Sequence, residues 1–231
     1  MDEFEIIDVC HTIHHGMITY KGLPPPIITD HLSREESRQH YAPGTEFHIG
    51  KIDMVANTGT YLDSPFHRYA DGKDLAALDL RSLANLDGVV VRCQGAGERA
   101  ITAAAFAHLD VAGKAVLFHT GWDRHWRTEQ YSDGMHPFLT ESAAEYLATA
   151  GAALVGIDSY NIDDTTEGDR PAHSNLLLHD IPIVEHLCGL NELPDAGLRF
   201  FAVPVKVKGL GTFPVRAFAI VPKNLAADER R

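Results

Sequence analysis

Two stretches hold the residues best suited to chemistry. The first is Asn57-Thr58-Gly59-Thr60-Tyr61-Leu62-Asp63-Ser64-Pro65-Phe66-His67. Along a strand, side chains of one parity share a face, so Asn57, Tyr61 and Asp63 point the same way. The Ser64-Pro65 turn then brings His67 back beside Asp63. A carboxylate and an imidazole meeting at a strand end make a metal or acid/base site. They also make a satisfied Asp–His pair that only shapes a turn, and spacing alone leaves both open. The second stretch is His173-Ser174-Asn175-Leu176-Leu177-Leu178, followed by Ile181-Pro182-Ile183-Val184-Glu185. A histidine opens a short apolar helix, and a glutamate follows a run that reads as buried strand. A buried carboxylate is expensive unless paired or metal-bound. The bland alternative is that Glu185 begins a helix and faces water.

Weaker signals surround these two. Gly156-Ile157-Asp158-Ser159-Tyr160-Asn161-Ile162-Asp163-Asp164 runs from a strand into an acidic loop. It can orient metal ligands from behind, though an Asp- and Asn-rich turn is the simpler reading. His119 ends a strand before Thr120-Gly121-Trp122 and is a candidate pocket residue. His11, His14 and His15 lie on a loop that can also approach it. The remaining histidines, among them His125, His136, His179 and His186, read as surface or packing residues. Gly95-Ala96-Gly97 after Val89-Val90-Val91 superficially matches a dinucleotide fingerprint, but Arg92 and Gln94 intervene and no acidic residue closes a following strand. No Gly-x-Ser-x-Gly elbow occurs, so a hydrolase of the serine-nucleophile α/β type has no nucleophile.

These clusters need elements to position them. The pattern predicts strands over 4–9, 88–93, 115–119, 154–157, 181–184, 200–206 and 217–221. It predicts one long strand or a strand pair over 47–62, stopped by Ser64-Pro65. Helices are predicted over 74–86, 101–109, 140–150 (capped by Thr140) and 174–178. Residues 11–26 read as loop, 30–45 as a surface excursion or flap, and 226–231 as a polar tail. Strands and helices alternate in the middle and both ends are strand-rich. That pattern predicts an α/β fold, a mixed sheet with an additional β layer, in one domain spanning 1–231.

Composition narrows the function classes. The chain has 231 residues, 45% hydrophobic and 23% charged, which suits a globular protein with a sizeable core. Its formal net charge of -12 offers no footprint for phosphate backbones or an anionic membrane surface, so neither nucleic acid nor membrane is an expected partner. No apolar run approaches the roughly 18 residues of a membrane helix. Three scattered cysteines build no disulfide framework, and the acidic start is unlike a signal peptide, so a cytoplasmic location is expected.

Taken together, the two clusters resemble the metal-dependent cyclase family, which includes bacterial kynurenine formamidase and isatin hydrolase. Its hallmark is His-x-Gly-Thr-His-x-Asp-x-Pro-x-His, matched here by Gly59, Thr60, Asp63, Pro65 and His67. Its second hallmark, a histidine and a later glutamate, is matched by His173 and Glu185. The resemblance extends to Asp8, Gly16-Met17, Thr120-Gly121-Trp122, Gly156-Ile157-Asp158-Ser159 and Pro214-Val215-Arg216-Ala217. It departs at Asn57 and Tyr61, which stand where the hallmark has histidines that bind a divalent ion. Asparagine is a weak ligand and neutral tyrosine a weaker one.

The resemblance implies a swivelling β/β/α cyclase-like fold and a homodimer or homotetramer. It implies one divalent ion, Zn or Mn, held by Asp63, His173 and Glu185, with His67 as general acid/base. The expected activity is hydrolysis of a small amide, cyclic amide or lactone, the small-molecule substrate being contacted by Asn57 and His119. A metal-free lactone hydrolase or isomerase using Tyr61, Asp63 and His67 is the first alternative, and a non-catalytic ligand-binding relative the second.

Overall fold

The computed structural model describes residues 3–94 and 98–223. The Gly95–Gly97 stretch and the 226–231 tail lie outside the described residues. Thirteen strands and three helices occur among those described. The early strands are β1 (Phe4–Asp8), β2 (Ile27–Leu32), β3 (Ile49–Asp53), β4 (Tyr61–Asp63) and β5 (Leu86–Arg92). Next come β6 (Ala100–Ile101), β7 (Ala115–His119), β8 (Phe138–Leu139) and β9 (Leu154–Ile157). The last are β10 (Ile183–Glu185), β11 (Leu198–Phe201), β12 (Thr212–Pro214) and β13 (Phe218–Pro222). The helices are α1 (Arg34–Ser37), α2 (Glu141–Ala150) and α3 (Pro171–Leu178).

Nine strands form one mixed, curled sheet in the order β1-β13-β11-β5-β7-β9-β10-β4-β12. Its centre, β5-β7-β9-β10, is parallel, and its flanks are antiparallel. The central strands are buried on both faces and therefore read as near-continuous apolar runs. Val89 and Val91 pack with Phe118, Ile157 and α2 residues Ala143 and Leu147 on one face. Val90 packs with Leu117, Leu154 and Val184 on the other, where the curled sheet closes over its own strands β1, β11 and β13. β2 and β3 form a separate antiparallel pair, and β6 and β8 a short parallel one.

Several sequence expectations are corrected. The 74–86 helix is absent. Only a 3-10 turn at Leu80–Ser82 forms, because Asp74 and Asp79 bond the backbone N–H of Ala77 and Arg81, a local alternative to helical pairing. The 101–109 helix shrinks to a 3-10 turn at Ala103–Ala105, which Phe106 ends at φ −142° as it turns into the core. The apolar alternation over 47–62 splits: β3 pairs with β2, while β4 joins the main sheet. Within 30–45 lie the end of β2 and α1, whose Ser33 and Glu36 form a reciprocal capping box. The 200–206 strand ends at Phe201. The helix expected over 174–178 starts earlier, with Pro171 in its first turn. The strand expected over 181–184 is shifted so that it includes Glu185. By contrast, α2 begins as predicted, with Thr140 accepting from the Ala143 N–H.

Candidate metal centre

Register explains how the site assembles. In the antiparallel pair β10·β4, Glu185 lies opposite Tyr61 and Ile183 opposite Asp63. Tyr61 and Asp63 share a parity, so Tyr61, Asp63 and Glu185 project from one face of the sheet. Asp63, Tyr61 and Glu185 are all essentially inaccessible to solvent. The choice left open for Glu185 is thereby decided: it is the last residue of a buried strand.

α3 supplies the imidazole. Asp163 anchors its first turn: Oδ1 accepts from the Ala172 N–H at 2.6 Å, and Oδ2 accepts from the His173 N–H at 3.0 Å. The same Oδ2 lies 2.6 Å from His173 Nδ1. A carboxylate accepts only, so His173 donates through Nδ1 and turns Nε2 toward the sheet. There Nε2 lies 3.7 Å from Asp63 Oδ2 and 3.8 Å from Glu185 Oε1. The acidic loop thus holds a ligand-type histidine from behind through Asp163. Asp158 in the same stretch has a different task, accepting from Thr120 and the Gly121 N–H.

Glu185 is otherwise satisfied. Its Oε1 accepts from the Ile162 N–H and its Oε2 from the Tyr61 hydroxyl, both at 2.7 Å. The Tyr61 oxygen in turn faces His186 Nε2 at 3.3 Å, and His186 Nδ1 meets the Tyr131 hydroxyl at 2.8 Å. Burial, then the charges of Glu185 and Asp63, push the Tyr61 phenol well above its usual range.

His67 sits at the end of the 3-10 turn Pro65–His67, backed by Gly211, where any Cβ would collide with the His67 backbone. Its Nδ1 is 2.8 Å from Thr212 Oγ1 and 3.6 Å from Asp63 Oδ1. The Thr212 hydroxyl donates to Asp63 Oδ1. A hydroxyl has one proton, so His67 must be the donor in its bond to Thr212, which leaves Nε2 as the basic ring nitrogen. Ligand-type atoms of Asp63, His67 and His173 lie within 4.8 Å of one another.

The fit of a cation can be judged from this geometry. Asp63 Oδ2 is buried with no hydrogen-bond partner among the described residues. Three buried carboxylates, Asp63, Asp163 and Glu185, surround a single histidine. Burial works against charge on His173, yet the charge of Glu185, the bond to Asp163 and the charge of Asp63 outweigh it and push the imidazole up to about 10. Burial likewise raises the Glu185 carboxyl against the pull of His173. Excess buried negative charge and an orphaned carboxylate oxygen suit a divalent cation with imidazole and carboxylate ligands.

These residues open onto a cavity of about 470 Å³, whose walls include Asn57, Tyr61, His67, His173 and Glu185. His119 does not line it. The ring of His119 is held between Arg92 Nη1 and Gln94 Nε2, each at 2.9 Å, so its place as a substrate contact is withdrawn. His11 is also elsewhere, stacked on Trp126 at 3.9 Å. His15 bonds the Ile28 backbone on the hairpin. Sequence reasoning passed over Thr212, Tyr20, Arg68 and Arg170. Thr212 gives no local sign, since its role comes from lying opposite Asp63 in the β12·β4 register. Arg170 had a faint one, preceding a proline that opens a helix.

The profile of the cyclase family, described as "Putative cyclase", matches residues 7–164, and the chain belongs to this family. It is similar to a protein named kynurenine formamidase from Bacillus cereus, 26% identical over 219 residues, covering 94% of this chain and 98% of that relative. A kynurenine formamidase from Erythrobacter litoralis is 33% identical over 165 residues, covering 71% of this chain and 73% of its own. Among solved structures, one described as a potential metal-dependent hydrolase with cyclase activity superposes with a TM-score of 0.76 at 27% identity, covering 94% and 98% of the two chains. An isatin hydrolase bound to the product analogue thioisatinate shares the fold, with a TM-score of 0.79 at 23% identity and coverage of 95% and 93%.

Proposed function

We propose that this chain is a metal-assisted hydrolase of a small amide, cyclic amide or lactone. The observation that carries the reading is the meeting of Asp63, His173 and Glu185, distant in sequence, around one buried point beside His67. The named relatives support the reaction class: two are kynurenine formamidases, and one structural neighbour is described as a potential metal-dependent hydrolase. Asp63, His173 and Glu185 would hold a single divalent ion, Zn or Mn. Such an ion supplies a Lewis acid for the substrate carbonyl and lowers the pKa of a water at the site.

The chain's own residues do the rest. His67 accepts the proton of the attacking water at Nε2, and its Nδ1–H is held by Thr212. The same nitrogen then returns the proton to the leaving amine or alkoxide. Asp163 keeps His173 in the tautomer that presents Nε2. Tyr61 donates a hydrogen bond to Glu185 Oε2, and Oε1 is the oxygen turned toward His173. Asn57, which lines the cavity, would contact the substrate.

Assembly into a homodimer or homotetramer belongs to the same proposal. It is supported by the β2·β3 pair, which exposes Ile27, Ile28, Ile49 and Ile52, with exposed Phe47 alongside, to solvent. Among the described residues, no helix is long and apolar enough to cross a membrane.

Elemental analysis of purified protein tests the site directly. The expected result is close to one divalent ion per chain in the wild type and a loss of most of it in Asp63→Ala. Chelator-resistant turnover, or metal content indifferent to Asp63, would overturn the reading.

A further inference from the structure

His186, which the sequence suggests as a surface or packing residue, is fully buried beside the candidate metal centre. Its backbone φ is +56°, in the left-handed region that a bulky side chain occupies only at a cost. Along an extended strand, consecutive residues point to opposite faces. Glu185 and His186 instead converge on one atom: Glu185 Oε2 lies 2.7 Å and His186 Nε2 3.3 Å from the Tyr61 hydroxyl oxygen. The left-handed turn is what lets two neighbouring side chains do so.

The surroundings leave the imidazole one arrangement of its proton. The rings of Tyr61, Trp126, Tyr131 and Tyr160 lie around it, with centroids 5.1, 5.8, 5.8 and 6.0 Å away. Its two nitrogens face tyrosine hydroxyls rather than charged groups, so the buried ring stays neutral with one N–H. The Tyr61 hydroxyl has one proton, which it donates to Glu185. Its oxygen therefore accepts from His186 Nε2–H. That leaves Nδ1 to accept from the Tyr131 hydroxyl at 2.8 Å, a shorter contact than the 3.4 Å from that hydroxyl to the Ser159 carbonyl. The bonds run in one direction, from Tyr131 through His186 and Tyr61 to Glu185. On the other side of that carboxylate, Oε1 takes the Ile162 N–H and still faces His173 Nε2 at 3.8 Å.

We infer that His186 is a positioning residue: by donating to the Tyr61 oxygen it holds the Tyr61 hydroxyl on Glu185 Oε2, and so reserves Oε1 for a cation. The inference rests on the metal-centre reading for the word cation, while the direction of the hydrogen bonds stands on the geometry alone. The ring of His186 bonds Tyr61, and Tyr61 bonds Glu185, so any effect of His186 on cation binding passes through Tyr61. Backbone strain at a buried residue persists only where its surroundings hold it, and here Thr60 Oγ1 clamps the His186 carbonyl from the β4 side.

Two readouts test this. Nitrogen-15 shifts of the His186 ring in chelator-treated protein are expected to show Nε2 protonated and Nδ1 bare, and Tyr61→Phe should replace that single tautomer with a mixture. Zinc or manganese ions alone, added to the same protein in a calorimeter, should bind about tenfold more weakly to His186→Asn and to Tyr61→Phe than to the wild type. Asparagine adopts the left-handed turn readily, but its shorter amide falls short of Tyr61. Glutamine reaches further, so His186→Gln should recover most of the affinity. Because His186 acts through Tyr61, the double variant of Tyr61→Phe and His186→Asn should bind no more weakly than Tyr61→Phe alone, whereas independent effects would multiply. Tyr131→Phe leaves the turn and Tyr61 in place. It should disturb the tautomer and lose a smaller part of the affinity, and it carries the test if the His186 variants fail to fold. A bare Nε2 in the wild type, multiplying effects in the double variant, or affinity unchanged in both His186→Asn and Tyr131→Phe overturns the inference. A wild type that binds neither ion overturns the metal-centre reading instead, and the direction of the His186 bonds is then decided by the ring shifts on their own.

Discussion

Two groups of residues at the cavity are built by different means. The first group is set by strand pairing: Tyr61, Asp63, Glu185 and Thr212 come from three adjacent strands whose register fixes their relative positions. Every one of them is buried, and most of their polar atoms already have partners. The second group hangs on loops: Tyr20, Arg68 and Arg170 line the cavity and belong to no strand or α-helix. Rigid ladders suit atoms that must meet to within a few tenths of an ångström, and loops suit groups that select among ligands. The contrast separates residues fixed by strand register from residues carried on loops around one cavity.

That division can be broken by experiment. The largest effect is expected from His67→Gln, which should lower kcat by about 10²- to 10⁴-fold with KM for the tested formamides nearly unchanged. Elemental analysis of the same variant should show its cation retained. A loss of the cation instead would make His67 a ligand alongside Asp63 and His173, with which it already clusters.

Tyr61→Phe probes the same site through stability. It leaves Glu185 Oε2 without its donor and His186 Nε2 without its acceptor, both buried. Stability should fall by about 1–3 kcal/mol, read from denaturant midpoints. A large loss of rate with full stability and full metal content would instead favour the metal-free acid/base scheme.

The smallest effect is reserved for Thr212. Thr212→Val should cost about tenfold to 100-fold in kcat because His67 loses the partner that fixes its proton on Nδ1. Thr212→Ser keeps the hydroxyl and should recover most of it. Nitrogen-15 chemical shifts of the His67 ring give the tautomer directly, and an Nδ1–H signal unaltered in the valine variant would refute the relay.

Much of the candidate metal centre was legible in the chain itself. Asp63, His67, His173 and Glu185 stood out because each is a charged or titratable residue beside apolar or turn-forming neighbours, where burial is costly without a purpose. The central strands were equally plain, since residues buried on both faces leave unbroken apolar runs. The helical readings of 74–86 and 101–109 failed for a local reason: aspartates at 74 and 79 and the inward turn of Phe106 outcompete helical pairing. Thr212 and Tyr20 were invisible because their contacts are with neighbours far along the chain.

Residue types and spacing determined which groups can ligate or transfer protons, and that they flank a Ser-Pro turn and a short helix. The fold alone decided that Glu185 faces inward opposite Tyr61, that Asp163 locks His173, and that Thr212 stands between Asp63 and His67. The reason is physical: chemistry belongs to a side chain, but distance and direction belong to strand register and helix docking, which arise only when remote segments pack.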